Sequence, residues 1–183
     1  SGTVQGQSSV GLGDAFLRKY DSAGNEVWTR QFGTTSYDFV YGLSMDTAGN
    51  VYVAGSTQGI LPGQNKISLS GDDAVVWKYD SAGNEVSVRQ FGTNVGAVAK
   101  AVAVDGAGNV YVAGDTAGVL PGQSAAGPVG LGQTDAYDAF LRKYDSSWNE
   151  VWTRQFGSSN ADVAKGVAVD GSGNTFIVGD TEG

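Results

Sequence analysis

DAFLRKYDSAGNEVWTRQFG, Asp14 to Gly33, holds two runs rich in aromatic and β-branched residues on either side of an Asp-Ser-Ala-Gly-Asn spacer. Such runs around a Gly/Asn turn read as a β-hairpin. The stretch returns as DAVVWKYDSAGNEVSVRQFG from Asp73 to Gly92 and as DAFLRKYDSSWNEVWTRQFG from Asp138 to Gly157. The first and third copies agree at 18 of 20 positions, differing only at Ala23/Ser147 and Gly24/Trp148. A second hairpin unit lies between the copies: YGLSMDTAGNVYVAGST from Tyr41 to Thr57, KAVAVDGAGNVYVAGDT from Lys100 to Thr116 and KGVAVDGSGNTFIVGDT from Lys165 to Thr181.

The period is therefore about 60 residues, in the range of repeat architectures. Three whole periods fill the 183 residues, because TEG at the end followed by SGTVQGQSSVGLG at the start reads as a variant of the loop TQGILPGQNKISLSG, Thr57 to Gly71. The chain reads as one repeat domain, residues 1–183, with units at about 14–72, 73–137 and 138–183 closing onto 1–13. The middle unit is slightly longer, within SAAGPVGLGQTDAY, Ser124 to Tyr137. Copies this similar point to recent duplication or deliberate design.

No run carries a helical period over ten residues, so the fold class is all-β with four strands per repeat. In the first repeat they are expected at Ala15 to Tyr20, Glu26 to Phe32, Val40 to Met45 and Val51 to Gly55. The turns D-x-x-G-N recur with Asp21, Gly24 and Asn25; Asp46, Gly49 and Asn50; Asp80, Gly83 and Asn84; Asp105, Gly108 and Asn109; and Asp170, Gly173 and Asn174. An Asp oxygen accepts a backbone N–H two residues on, while Gly and Asn tolerate positive φ, so these residues are structural. The sixth copy, Asp145 to Asn149, has Trp148 where the glycine belongs. A left-handed tryptophan costs on the order of 1 kcal/mol, so this turn is expected to change type. Its indole then stands at a hairpin tip, either as a tolerated surface aromatic or as a contact with a partner or neighbouring subunit.

Composition removes most catalytic machinery. There is no His and no Cys, which excludes His-based triads, thiolate nucleophiles, disulfides and the usual zinc sites. Eleven Lys and Arg against 19 Asp and Glu give a net charge of −8, the wrong sign for nucleic acid. No apolar run is long enough for a membrane helix, so membrane insertion is not expected, and the first residues do not read as a signal peptide. The 29 glycines with 40% apolar residues fit many turns around a real core.

A four-stranded sheet covered on both faces, repeated with long loops on one side, is what a propeller blade requires. GLSMDTAGNVYVAGST, a Pro/Gly loop and then DAFLRKYDSAGNEVWTRQFG resemble the SBBP-type β-propeller repeat, a bacterial family, over essentially the whole chain. The middle copy departs mildly, with Val75 for Phe16 and Ser87 for Trp28. The resemblance implies that Tyr41 to Asp46 is the innermost strand a, Val51 to Gly55 strand b, Ala15 to Tyr20 strand c and Glu26 to Phe32 the outer strand d. It implies an extracellular or cell-surface setting, and no agreed activity, cofactor or catalytic residue.

The chain then opens before strand c of one blade and closes after strand b of another. Three blades are too few for the usual ring, and an open array exposes sheet faces and strand edges. Completion of the split blade by a second copy, giving a six-bladed ring with two-fold symmetry, is the simplest expectation. The alternatives are a nine-bladed trimer, a closed three-blade monomer, or a piece of a nominally seven-bladed protein.

Function is expected on the long-loop face, around LPGQ (Leu61 to Gln64 and Leu120 to Gln123) and VQGQ (Val4 to Gln7). Asp14, Asp73 and Asp138 open strand c there, while Asp115 and Asp180 close strand b, with Ser56 in the first copy. Such a ring of carboxylates suits sugar hydroxyls or a hard cation; the plainer reading is that they cap strand ends. Trp28, Trp77, Trp152 and Phe32 are read as blade-to-blade packing, against carbohydrate stacking. The D-x-x-G-N runs lack the distal Glu of a calcium loop, so no metal or cofactor is expected. The expected function is a non-catalytic, self-assembling scaffold or interaction module with itself as first partner and a glycan or protein as possible ligand; the alternative is a multivalent lectin-like propeller.

Overall fold

The computed structural model describes residues 2–69, 71–126 and 137–182. Most of the long middle loop, residues 127–136, thus lies outside the described residues. Among the described residues twelve strands follow in order: β1 (Ala15–Tyr20), β2 (Glu26–Phe32), β3 (Asp38–Met45), β4 (Val51–Thr57), β5 (Asp73–Tyr79), β6 (Glu85–Phe91), β7 (Ala97–Val104), β8 (Val110–Thr116), β9 (Asp138–Tyr144), β10 (Glu150–Phe156), β11 (Asp162–Val169) and β12 (Thr175–Thr181). Strands a and b run two residues further than expected, a at its start and b at its end.

Among the described residues the named strands pair antiparallel throughout. They make two complete sheets, β3-β4-β5-β6 and β7-β8-β9-β10, flanked by the two-stranded ribbons β1-β2 and β11-β12. The hydrogen-bonded sheets are thus out of phase with the sequence units: each complete blade takes its a and b strands from one unit and its c and d strands from the next. Neighbouring sheets pack face to face, β3 and β4 on β7, and β7 and β8 on β11.

Each innermost strand carries one β-bulge, between Val40 and Gly42, Ala99 and Ala101, and Ala164 and Gly166. The bulged residues are Tyr41, Lys100 and Lys165. Opposite them strand b is glycine, because a Cβ at Gly55, Gly114 or Gly179 would run into the carbonyl oxygen of Phe39, Val98 or Val163. The repeated V-A-G and V-G motifs are therefore the counterpart of the bulge.

Three apolar joints lie between successive sheets. The first gathers Ala15, Leu17, Phe32, Val53 and Trp77; the second Tyr52, Val76, Phe91, Val112 and Phe140; the third Tyr111, Leu141 and Ala164 with Trp152 and Ile177 at its margin. Each large apolar side chain fully buried there contributes roughly 1.5–3 kcal/mol. Phe32 packs edge-on to Trp77 with ring centroids 5.2 Å apart, and Phe91 packs edge-on to Phe140 at 5.7 Å.

The turn at Trp148 corrects the expectation drawn for it. Trp148 keeps the left-handed conformation, φ 65°, and its N–H donates to the Asp145 carbonyl at 2.9 Å, as Gly83 does to Asp80. The turn type is unchanged, and the indole lies between the two complete blades, 6.1 Å from the Tyr52 ring and 5.7 Å from Tyr144, with the Arg89 guanidinium 5.5 Å above it. At the preceding joint Trp28 of β2 lies on Gly83, where a Cβ would come within 2.9 Å of the indole. At the second joint β6 has Ser87 in place of Trp28, and Trp148 supplies the indole from the opposite side. W148G is expected to destabilise the chain by about 2 kcal/mol, the loss of a half-buried aromatic outweighing relief of the left-handed backbone. Adding S87W should recover most of that loss, because it recreates the Trp28–Gly83 arrangement; urea denaturation of the two variants checks this.

Candidate functional site

The hairpin turns line one rim and are built identically. In the first, the Asp21 Oδ1 accepts the N–H of Ala23 at 2.9 Å and of Asn25 at 2.8 Å, while Oδ2 accepts the Asn25 side-chain amide at 3.0 Å. The Asn25 side-chain amide, followed by backbone N–H groups, holds this carboxyl below the ordinary aspartate range, and Asp80, Asp145 and Asp170 are held down in the same way. Among the described residues positive φ is confined to glycines and Trp148, so the asparagines of these turns serve through their amides and not, as expected, through left-handed backbone.

The opposite rim carries the long loops. Asp73 is completely buried. Its Oδ2 accepts the Ile67 N–H at 2.9 Å and the Gln90 amide at 2.7 Å, and its Oδ1 accepts the Ser68 N–H at 2.8 Å. Gln90, on β6, also accepts the Leu61 N–H at 3.1 Å, donates its amide to the Gly59 carbonyl at 3.0 Å and donates its own N–H to Gln64 at 3.0 Å. One Asp–Gln pair thus clamps both ends of the LPGQ loop.

The same clamp holds the other loops. Gln31 donates to Asp14 at 2.7 Å and Gln155 to Asp138 at 2.7 Å, while the Val4 and Leu120 N–H groups donate to the two glutamines at 2.8 and 2.9 Å. Asp14 further accepts from Ser9, Val10 and Gly11, and Asp138 from Ala126. The structure therefore brings Asp14, Asp73 and Asp138 to one rim, each bonded to its loop and to its glutamine. Gln31, Gln90 and Gln155 were missed in the sequence reading, although the invariant R-Q-F-G ending of all three hairpin copies marks them.

Asp115 and Asp180 stand apart from this set, each paired with the bulged lysine of strand a. Lys100 Nζ lies 3.1 Å from Asp115, and Lys165 pairs with Asp180. Burial pushes the Asp115 carboxyl above the ordinary range, with the lysine acting against it. In the first copy both partners change together, to Tyr41 and Ser56, and Lys100 sits 5.4 Å over the Tyr41 ring. Asp38 and Asp162, which open strand a, were also missed; Asp38 is buried, accepts the Thr34 N–H at 2.6 Å, and is pushed up by burial. Among the described residues no cluster of His, Cys, Asp or Glu is placed to hold a metal ion.

Open sheet edges and exposed apolar side chains lie at the two ends of the arc. The outer edges of β1 and β12 pair with no strand among the described residues. Phe16 is 58% exposed where its equivalent Phe140 is 0%, Phe156 is 43% where Phe91 is 6%, and Val178 is 68% where Ala113 is 0%. Tyr20, Leu43, Met45 and Phe176 are exposed at the same two ends.

The pattern of the β-propeller repeat family SBBP matches three times, at residues 27–62, 88–121 and 151–183, together more than half of the chain. The chain is 35% identical to the Regulatory protein FlaEY of Caulobacter vibrioides over 98% of its own length and 19% of that protein. It is 25% identical to the Uncharacterized WD repeat-containing protein L264 of Acanthamoeba polyphaga mimivirus over 88% of its length and 13% of that protein. It spans less than a fifth of either relative. With blade-like four-stranded sheets, the repeated bulge and three matches in register, this chain belongs to the SBBP β-propeller repeat family.

Proposed function

We propose that the chain is a non-catalytic scaffold and interaction module whose assembly completes the split blade. Two copies meet so that β12 of one adds to β1 of the other, closing a six-bladed ring with two equivalent joints. The observation that carries the reading is the complementarity of the two open ends. The β11-β12 ribbon has the a and b strands a blade needs first, and the β1-β2 ribbon has the c and d strands it needs last. Each complete sheet supplies the template for the missing pairing. Val110 pairs with Tyr144, Ala113 with Leu141 and Thr116 with Asp138. The same register pairs Thr175 with the partner's Tyr20, Val178 with the partner's Leu17 and Thr181 with the partner's Asp14. It covers Phe16 and Val178 and moves Asp180 and Lys165 into the surroundings that Asp115 and Lys100 already have.

Edge-strand addition supplies main-chain hydrogen bonds, and face packing supplies the apolar burial that stabilises the ring. The bonds of the rim aspartates to their loops support a structural role for them. In a longer protein the same edges would take neighbouring repeats. Light scattering across a tenfold dilution tests assembly: twice the 18.8 kDa of the single chain is expected. Three times that mass replaces the six-bladed ring by a nine-bladed one, and a persistent single-chain mass overturns the reading.

A further inference from the structure

One of the differences among the three joints between neighbouring blades pairs the third residue of strand d, Trp28, Ser87 or Trp152, with the hairpin tip it faces. At the first joint, Trp28 donates its indole N–H to the Ser81 carbonyl at 3.3 Å, and Arg30 donates to the carbonyls of Gly83 at 2.7 Å and Ala82 at 3.2 Å. The guanidinium lies 5.5 Å over the indole and also donates to the Thr29 carbonyl at 2.8 Å. One Trp–Arg pair on strand d thus grips the backbone of the next blade's Asp80–Asn84 hairpin, and glycine at 83 makes room for the ring. At the second joint the two roles are exchanged, Ser87 on strand d facing Trp148 on the hairpin.

At the third joint the gripping pair is present without a hairpin. Trp152 and Arg154 hold the same arrangement as Trp28 and Arg30: the guanidinium lies 5.7 Å over the indole and donates to the Thr153 carbonyl at 2.8 Å. Arg154 is exposed. Of the three described hairpins that join strand c to strand d, Asp21–Asn25, at the other end of the arc, is the one that no Trp–Arg pair or facing strand d holds. Its sequence DSAGN is identical to Asp80–Asn84, all five residues are exposed, and a Cβ at Gly24 would meet nothing within 4 Å.

We propose that Trp152 and Arg154 dock on the Asp21–Asn25 hairpin of a second copy of this chain. Their donors reach the carbonyls of the partner's Ser22, the partner's Ala23 and the partner's Gly24, and the Trp–Gly or Ser–Trp pairing selects which hairpin each strand d accepts. This rests on the ring-closure reading above and adds to it a specificity-determining contact. It also accounts for where the near-identical hairpins Asp14–Gly33 and Asp138–Gly157 differ. Both differences, at 23/147 and 24/148, lie on the surface that meets the preceding strand d, one facing Trp152 and the other facing Ser87.

Two substitutions that fail alone and succeed together test the proposal. In G24W the new indole meets Trp152, and the hairpin itself tolerates the change because Trp148 occupies the same backbone conformation. In W152S the grip is lost. A central tryptophan contact is worth about tenfold or more in affinity and occurs twice per ring, so each variant alone should raise the dimer dissociation constant at least about a hundredfold. An equimolar mixture of G24W and W152S should form a heterodimer, since one joint then repeats the Ser87–Trp148 arrangement and the other keeps the original pair. The double variant G24W/W152S in one chain should recover the homodimer. Native mass spectrometry reads all four samples, and far-UV circular dichroism reads the fold. Single variants that assemble as tightly as the parent, or a mixture and double variant no better than the singles, overturn the docking proposal while leaving ring closure standing. A parent chain that stays monomeric in the same experiment overturns ring closure and the joint with it.

Discussion

Replacing Phe16 by glutamate is expected to leave a folded chain that does not close the proposed ring. Phe16 is exposed in the single chain, so the substitution removes no core contact there. In the closed ring its surroundings are those of Phe140, which is fully buried and packs edge-on to Phe91. The counterpart of Phe91 at the open joint is Phe156, and the Arg142 guanidinium, 4.3 Å over the Phe91 ring, has its counterpart in Arg18. Glutamate at position 16 puts a carboxylate into that apolar joint, at a cost on the order of 3 kcal/mol in lost burial and incomplete pairing. Two joints per ring raise the dissociation constant by about four orders of magnitude. Analytical ultracentrifugation should show a single-chain mass at concentrations where the parent is a dimer, with an unchanged β-sheet spectrum. Assembly of F16E with the parent's affinity would exclude this joint.

The second large effect concerns stability. D73A leaves the Gln90 amide and the Ile67 and Ser68 N–H groups without their shared acceptor in a site closed to water. Orphaned buried donors cost about 1–3 kcal/mol each, less what relaxation recovers, and a net loss of about 3–5 kcal/mol is expected. For a chain of this size that lowers the thermal midpoint by about 10 °C. D14A should cost less than half as much, because Asp14 is partly exposed and water can replace some of its bonds. Scanning calorimetry distinguishes a loop clamp from a ligand site: a sugar-binding carboxylate at Asp73 would be removable with little effect on the midpoint.

The hairpins and their phase were legible because turn chemistry is local. Asp21, Gly24 and Asn25 lie within five residues, and the D-x-x-G-N pattern recurs often enough to place four strands per period. The clamps were not legible, because Gln90 meets Leu61 and Gly59 from another strand and glutamine in a strand sequence carries no signal of its own. Trp148 and Ser87 were each visible as departures from the repeat. They stand 61 positions apart, and only the packing of one blade on the next makes them a single compensated change. The sequence offered Asp73 and Asp138 as strand-end caps or as ligands without naming what they cap, because many of their partners are backbone N–H groups, which every residue but proline possesses.

The arrangement at Trp148 also bears on how such a chain avoids folding errors. Near-identical repeats offer near-identical wrong solutions, and tandem domains are prone to exchanging equivalent segments while they fold. Here the ribbons Asp14–Gly33 and Asp138–Gly157 are alike at 18 of 20 positions, so the pairing that β8 makes with β9 would suit β1 almost as well. Only the second brings an indole to the space left by Ser87; the first leaves a void beside Tyr52 and Arg89. One bulky residue at a turn, tolerated by a backbone conformation that disfavours it, therefore acts as an address label, giving a repetitive sequence a preferred order of assembly.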